Sequence, residues 1–200
     1  MLSAVQAGIA GGSVMFWSAD AEVQQRVATM TVGGILPTGN TEQTMVGVFL
    51  RDASYGSKID YYLKADVKAS ATCLAPGSSE FTTTVTLHLD ISQNEANKLP
   101  AYVKSAPWGA TKFITEVFVY GAPATAVTHT KVDSGAKARR TRQDLGRPVT
   151  KVTVELKPGE SRTISVTSAG AAGPYGPLTI RTSPMVTPAT VTISGQACAQ

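Results

Sequence analysis

The 200-residue sequence predicts a mainly β chain: an antiparallel sandwich preceded by a small α/β piece with one short helix. Three observations carry that expectation. From Leu63 onward, apolar residues recur at every second position, the period of a half-buried strand. Turn residues, among them Pro76-Gly77, Gly121-Ala122-Pro123 and Pro158-Gly159, divide the chain at short intervals. Charged residues make up only 16% of the sequence against 42% hydrophobic ones. Thr, Ser and Ala fill the difference, which favours a β-rich extracytoplasmic module over a cytosolic enzyme. Together they describe an immunoglobulin-like sandwich.

Each element has its own signal. Residues 1–12 read as the tail of a helix and a turn, because Gly8, Gly11 and Gly12 break the apolar stretch. With no basic residue before Asp20, this start resembles the interior of a longer protein. Residues 13–18 read as a short buried strand. Ser18 is the expected N-cap of a helix from about Ala19 to Met30, with Asp20 and Glu22 complementing its dipole. Gly33, Gly34 and Pro37 stop it. Residues 38–44 are a polar loop and Met45 to Leu50 a buried strand.

Leu63, Ala65, Val67, Ala69, Ala71 and Cys73 share one strand face, so Cys73 is expected to point inward. Val85, Leu87, Leu89 and Ile91 alternate with Thr84, Thr86, His88 and Asp90 on the next strand. Residues 92–111 read as a long polar connection, with no helix expected after residue 30. Lys112 to Tyr120 is apolar on both faces, hence central. Ala126 to Val132 is a short strand, Asp133-Ser134-Gly135 a turn, and residues 136–147 a basic loop. Val152 to Leu156 and Thr163 to Thr167 are expected to pair as a hairpin. Strands near 178–182 and 189–194 close the chain. The expected boundary falls near residue 62, giving a piece over 1–62 and the sandwich over 63–200.

The two cysteines, Cys73 and Cys198, read as one disulfide, since paired cysteines in a charge-poor β module indicate an oxidising compartment. No apolar run is long enough to span a membrane. The net charge of +4 is too mild for a nucleic-acid partner, and no groove-entering element is evident. His88 and His129 lack metal-ligand spacing, so no metal site is expected. No phosphate-cradling loop or nucleophile elbow occurs, so neither a cofactor nor a catalytic residue is assigned.

Two stretches stand out. The turn Arg51–Tyr62 concentrates charge and tyrosine between apolar strands. Asp52, Lys58, Asp60, Tyr61 and Tyr62 suit a carbohydrate or polymer contact, with rings stacking on sugars and charges binding hydroxyls or anionic groups. The alternative is structural: charges that cap the turn and tyrosines that pack. The second stretch carries Lys137, Arg139, Arg140, Arg142 and Arg147 against Asp144. It reads as a patch for anionic cell-wall polymer or lipid headgroups, or as a solvated loop.

An ordered set of local patterns adds a family resemblance. It comprises Val14–Asp20, Gly47–Asp52 leading into Ser57–Leu63, Leu99–Val103, Leu145–Val149, Pro158–Thr163 and Thr182–Pro188. In this order they resemble the C-terminal part of the actinobacterial family of unknown function numbered 4012. The resemblance implies a longer extracytoplasmic protein at the cell surface, held by an N-terminal membrane helix upstream of this chain, with no established reaction. The expected function is a non-catalytic envelope module contacting wall glycopolymers or envelope proteins. The alternative is the C-terminal part of a glycopolymer transferase or hydrolase.

Overall fold

A computed structural model describes residues 2–133, 136–171 and 173–198, without the side chains of residues 136–138. The chain opens with α1 (Leu2–Ala10), none of whose side chains is buried. Next comes α2 (Ala21–Ala28), shorter than the expected 19–30. Its N-cap is Asp20, not Ser18: the Asp20 carboxylate accepts from Val23 N at 2.9 Å. Ser18 Oγ instead accepts from Asp20 N and braces the approach. Residues 13–18 form no strand. Phe16 N donates to Val32 O, but no β-ladder pairs with the segment, so its apolar side chains stay in solvent and Trp17 is 73% exposed.

Among the described residues ten strands follow: β1 (Thr44–Asp52), β2 (Leu63–Ala75), β3 (Ser78–Leu89), β4 (Phe113–Tyr120), β5 (Ala126–Val132), β6 (Ala136–Asp144), β7 (Arg147–Leu156), β8 (Ser161–Gly170), β9 (Leu178–Thr182) and β10 (Thr190–Gln196). They make two five-stranded sheets, ordered β6-β7-β4-β1-β9 and β10-β2-β3-β8-β5. The expected alternation sets the core. Val48, Val117, Val119, Val152, Val154 and Leu156 of the first sheet pack in one cluster with Leu63, Val67, Val85, Leu87, Leu89, Ile164 and Val166 of the second. This is the sandwich arrangement. β4 is central, between β1 and β7. The outer face of the second sheet carries hydroxyl pairs, Thr82–Thr167, Thr84–Ser165 and Thr86–Thr163, each at 3.0–3.1 Å. Cross-strand pairs of this kind explain where much of the threonine goes.

Several expectations are corrected. The sheets are mixed: β9 joins β1 and β10 joins β2, both in parallel. β7 and β8 form no hairpin, because the turn at Pro158 passes from one sheet to the other. β1, expected in the preceding piece, pairs with β4 and β9 inside the first sheet, so the fold of the sandwich reaches back to Thr44. A third helix, α3 (Gln93–Lys98), lies in the expected connection. Its capping box was present in the sequence: Ser92 Oγ accepts from Glu95 N, and Glu95 accepts from Ser92 N. The expected basic loop is largely β6, paired with β7. The turn residues Ser134 and Gly135 lie outside the described residues.

The disulfide joins Cys73 to Cys198, with the Cα atoms 4.6 Å apart. Cys73 has the inward parity of β2 but is exposed, because this end of the strand runs past the core. Cys198 is the buried partner.

Candidate functional site

The turn after β1 is built on buried hydroxyls. Ser54 Oγ accepts from Ile114 N at 2.7 Å and donates to Ile114 O, tying the turn to β4. Ser105 Oγ donates to Ser54 O at 2.6 Å. Tyr55 meets Trp108 edge-on, and Lys112 Nζ sits 4.6 Å over the Trp108 ring. A 3-10 turn, Ile59–Tyr62, then leads into β2. This scaffolding sorts the five residues expected to contact a ligand. Asp52 and Asp60 come together on one pocket of about 160 Å³ at an end of the sandwich. Tyr62 packs against the core, and Tyr61 stands edge-on to it, ring centroids 5.1 Å apart. Lys58 lies outside the pocket lining; its backbone N donates to Val103 O. The turn thus sets Tyr62 against the core and the serines under the backbone, while Tyr61 stays 61% exposed and the two carboxylates lie at an opening.

The second surface is the outer face of the first sheet. Register places Arg140 opposite Lys151, Lys151 opposite Phe118, and Phe118 opposite Phe49. The neighbouring row runs Arg142, Val149, Tyr120 and Gly47. Residues opposite one another in a ladder share a face, so two exposed arginines lead onto three half-buried aromatic rings. Phe49 and Tyr120 meet edge-on at 5.6 Å. Arg140 and Arg142 have no ion-pair partner among the described residues. Lys151 and Arg51 are both engaged by the Glu116 carboxylate. Hydrogen bonding from Lys151, more than any other cause, holds the Glu116 carboxyl below its ordinary range. The Tyr120 hydroxyl donates to Asp144 at 2.8 Å. Burial first, and then Asp144, pushes its pKa up to about 12.

Not all of the expected basic patch lies here. Arg139 is exposed on β6, and its guanidinium reaches Thr130 O of β5, bridging the edges of the two sheets. The side chain of Lys137 lies outside the described residues. Arg147 is the correction. It is 0% exposed, and its guanidinium donates to Pro37 O, Met45 O and Gly121 O. Its two Nη groups face backbone carbonyls rather than solvent, so it belongs to the interior. Desolvation lowers its pKa to about 10. Sequence reading missed Phe49, Phe118 and Tyr120 as surface residues. Their parity, opposite to that of Val48, Val117 and Val119, was the available signal.

A wider groove of about 950 Å³ runs between the N-terminal segment and strands β9 and β10, walled in part by Ile35, Pro37, Ile180 and Ile193.

No known protein-family model matches the chain, and no curated protein matches it. Among solved structures, it is similar to a two-domain M1 zinc metallopeptidase at 16% identity and a TM-score of 0.29, over 55% of this chain and 20% of that one. It is also similar to a putative nutrient-binding protein from Legionella pneumophila at 10% identity and a TM-score of 0.31, over 64% of this chain and 44% of that one. The chain thus spans less than half the length of either, and likeness this distant carries no functional argument.

Proposed function

We propose that this chain is a non-catalytic, extracytoplasmic cell-envelope module whose first sheet contacts an anionic wall glycopolymer. One observation carries the reading: the rows Arg140-Lys151-Phe118-Phe49 and Arg142-Val149-Tyr120 on a single sheet face. Free guanidinium groups bind phosphate or carboxylate in bidentate fashion. Aromatic faces beside them stack on sugar rings. A repeating anionic sugar polymer presents both features in alternation. The disulfide suits an oxidising compartment. No helix among the described residues is long and apolar enough to cross a membrane. Membership of the actinobacterial family numbered 4012, and the anchor it implies, belong to the same proposal.

The test is co-sedimentation with actinobacterial sacculi, before and after the wall glycopolymers are stripped. Binding is expected to disappear on stripping, to weaken with salt, and to drop in the double variant Arg140→Ala/Arg142→Ala. Binding that survives stripping, or a double variant that binds like the parent, refutes the proposal.

A further inference from the structure

The geometry points to a second, separate site: the pocket between the sheets, built from Asp52, Asp60 and Thr115, takes a small organic cation, a protonated amine carried on a compact apolar body. The pocket opens where β1 and β4 of one sheet part from β2 and β3 of the other. Its walls are apolar, from Leu50, Leu63, Leu89, Phe113, Leu156 and Met185. At about 160 Å³ it is close to the roughly 150 Å³ of an apolar cavity that holds benzene.

Polar groups meet this apolar space from both sides, with the exposed Asp52 and Asp60 at its mouth and Thr115 further in. Asp52 and Thr115 are opposite one another in the β1–β4 ladder, on the inward face. Asp52 is held in place, its carboxylate accepting from Ser54 N at 2.7 Å. Asp60 comes from the 3-10 turn on the other side, and its carboxylate has no partner among the described residues. Thr115 supplies the observation that points to a ligand. It is only 7% exposed and lines the pocket, yet its hydroxyl has no hydrogen-bond partner among the described residues. The hydroxyl itself reaches the pocket space, so it is open to hydrogen-bond an occupant there. Among the described residues, no lysine or arginine lines the pocket. Two carboxylates and a hydroxyl over an apolar floor are complementary to an ammonium head on a hydrocarbon or aryl body. The same set is poor for a divalent ion, which needs six or so oxygens and no grease. The loop 183–186 forms one wall and is pinned by Ser183, whose Oγ accepts from Leu50 N and whose N donates to Val48 O. The site is therefore preformed.

The experiment is titration of the ¹⁵N-labelled full chain, followed by amide shifts, with benzylammonium, benzyl alcohol and calcium as separate probes at fixed ionic strength. Benzylammonium is expected to saturate, with shifts centred on Asp52, Asp60, Thr115 and Met185. Benzyl alcohol is expected to bind at least about tenfold more weakly, the scale of one hydrogen bond to a charged group. Asp60→Asn should weaken benzylammonium by a similar factor. Thr115→Val, which keeps the side-chain shape, should weaken it severalfold with the rest of the spectrum unchanged. Equal binding of the alcohol and the ammonium would overturn the inference, as would shifts confined to another surface, or calcium alone reproducing them.

Discussion

Replacing Arg147 with Met tests the most exacting feature of the interior. Two large terms oppose one another at this position. The depression of its pKa to about 10 means that burial disfavours the charged guanidinium. Measured from an ordinary value of about 12.5, at about 1.36 kcal/mol per unit, that is a cost of roughly 3 kcal/mol. Against it stand the hydrogen bonds to Pro37 O, Met45 O and Gly121 O. Methionine offers no donor, so these acceptors lose their partner at about 1–3 kcal/mol each, roughly 6 kcal/mol together at the midpoint. The difference leaves Arg147→Met about 3 kcal/mol less stable than the parent. Urea unfolding at neutral pH, followed by far-UV circular dichroism and fitted with a shared slope, reads this as a lower midpoint. A variant as stable as the parent, or more so, would refute the reasoning. It would mean that desolvation outweighs the carbonyl bonds, as it does for some buried ion pairs replaced by apolar residues. The sign with pH follows as well. The folded pKa lies below the unfolded one, so the burial penalty is complete at all pH values below about 10 and is relieved only above that. The gap between parent and variant should therefore stay constant from about pH 6 to about pH 9.

Glu116 should behave in the opposite sense. Its carboxyl is held low, chiefly by the Lys151 hydrogen bond, so its contribution is present above the unfolded carboxylate range and is lost as pH falls through the folded value. Glu116→Gln is expected to cost about 1–3 kcal/mol near pH 7 and much less near pH 3, by urea midpoints at the two pH values; an equal cost at both would contradict it. Removing the disulfide with Cys73→Ala/Cys198→Ala opens a loop with a sequence separation of 125. The chain-entropy model then sets an upper loss of about 5 kcal/mol, and a change below about 1 kcal/mol would show that the cross-link contributes little. Gly195 holds φ +72°, and a Cβ there would lie 2.1 Å from Ala71 O of β2. Gly195→Ala should speed hydrogen exchange across β10 while leaving β1 and β4 protected; unchanged β10 protection would count against that packing.

The legible parts of this fold were those whose signal is local. The alternation in Leu63–Ala71 and Val85–Leu89 marked two strands with the right faces inward, and failed only at Cys73, where β2 runs past the core. The cysteine pair followed from compartment chemistry. α3 was equally local, written in Ser92 and Glu95, and the Pro- and Gly-rich surroundings obscured it. β6 was hidden for another reason: an exposed edge strand has no buried face to impose a period, and arginines read as a loop. Partnership across the sheets was not legible, because the parallel addition of β9 to β1 and of β10 to β2 depends on crossovers that no residue announces. The fate of Arg147 was equally opaque. It closes the same basic run as Arg142, and only the backbone of Pro37, Met45 and Gly121 makes it internal. For the pocket, Asp52 and Asp60 were visible within one unusual turn. Thr115 was not, since it reaches the pocket through a ladder that joins distant stretches of the chain.

The Cys73–Cys198 bond also sets the mechanical route through the chain. A pull arriving from beyond Cys198 enters β2 directly at Cys73, so the covalent path bypasses β10 and the rest of the enclosed loop. At about 3.5 Å per residue, that loop stores roughly 440 Å of contour that traction cannot release while the bond is oxidised. Over the stretch up to Cys198, such a pull would lengthen only the residues before Cys73, and the greater part of both sheets would travel as an unextended bead. Reduction would convert the same chain into a long, compliant tether.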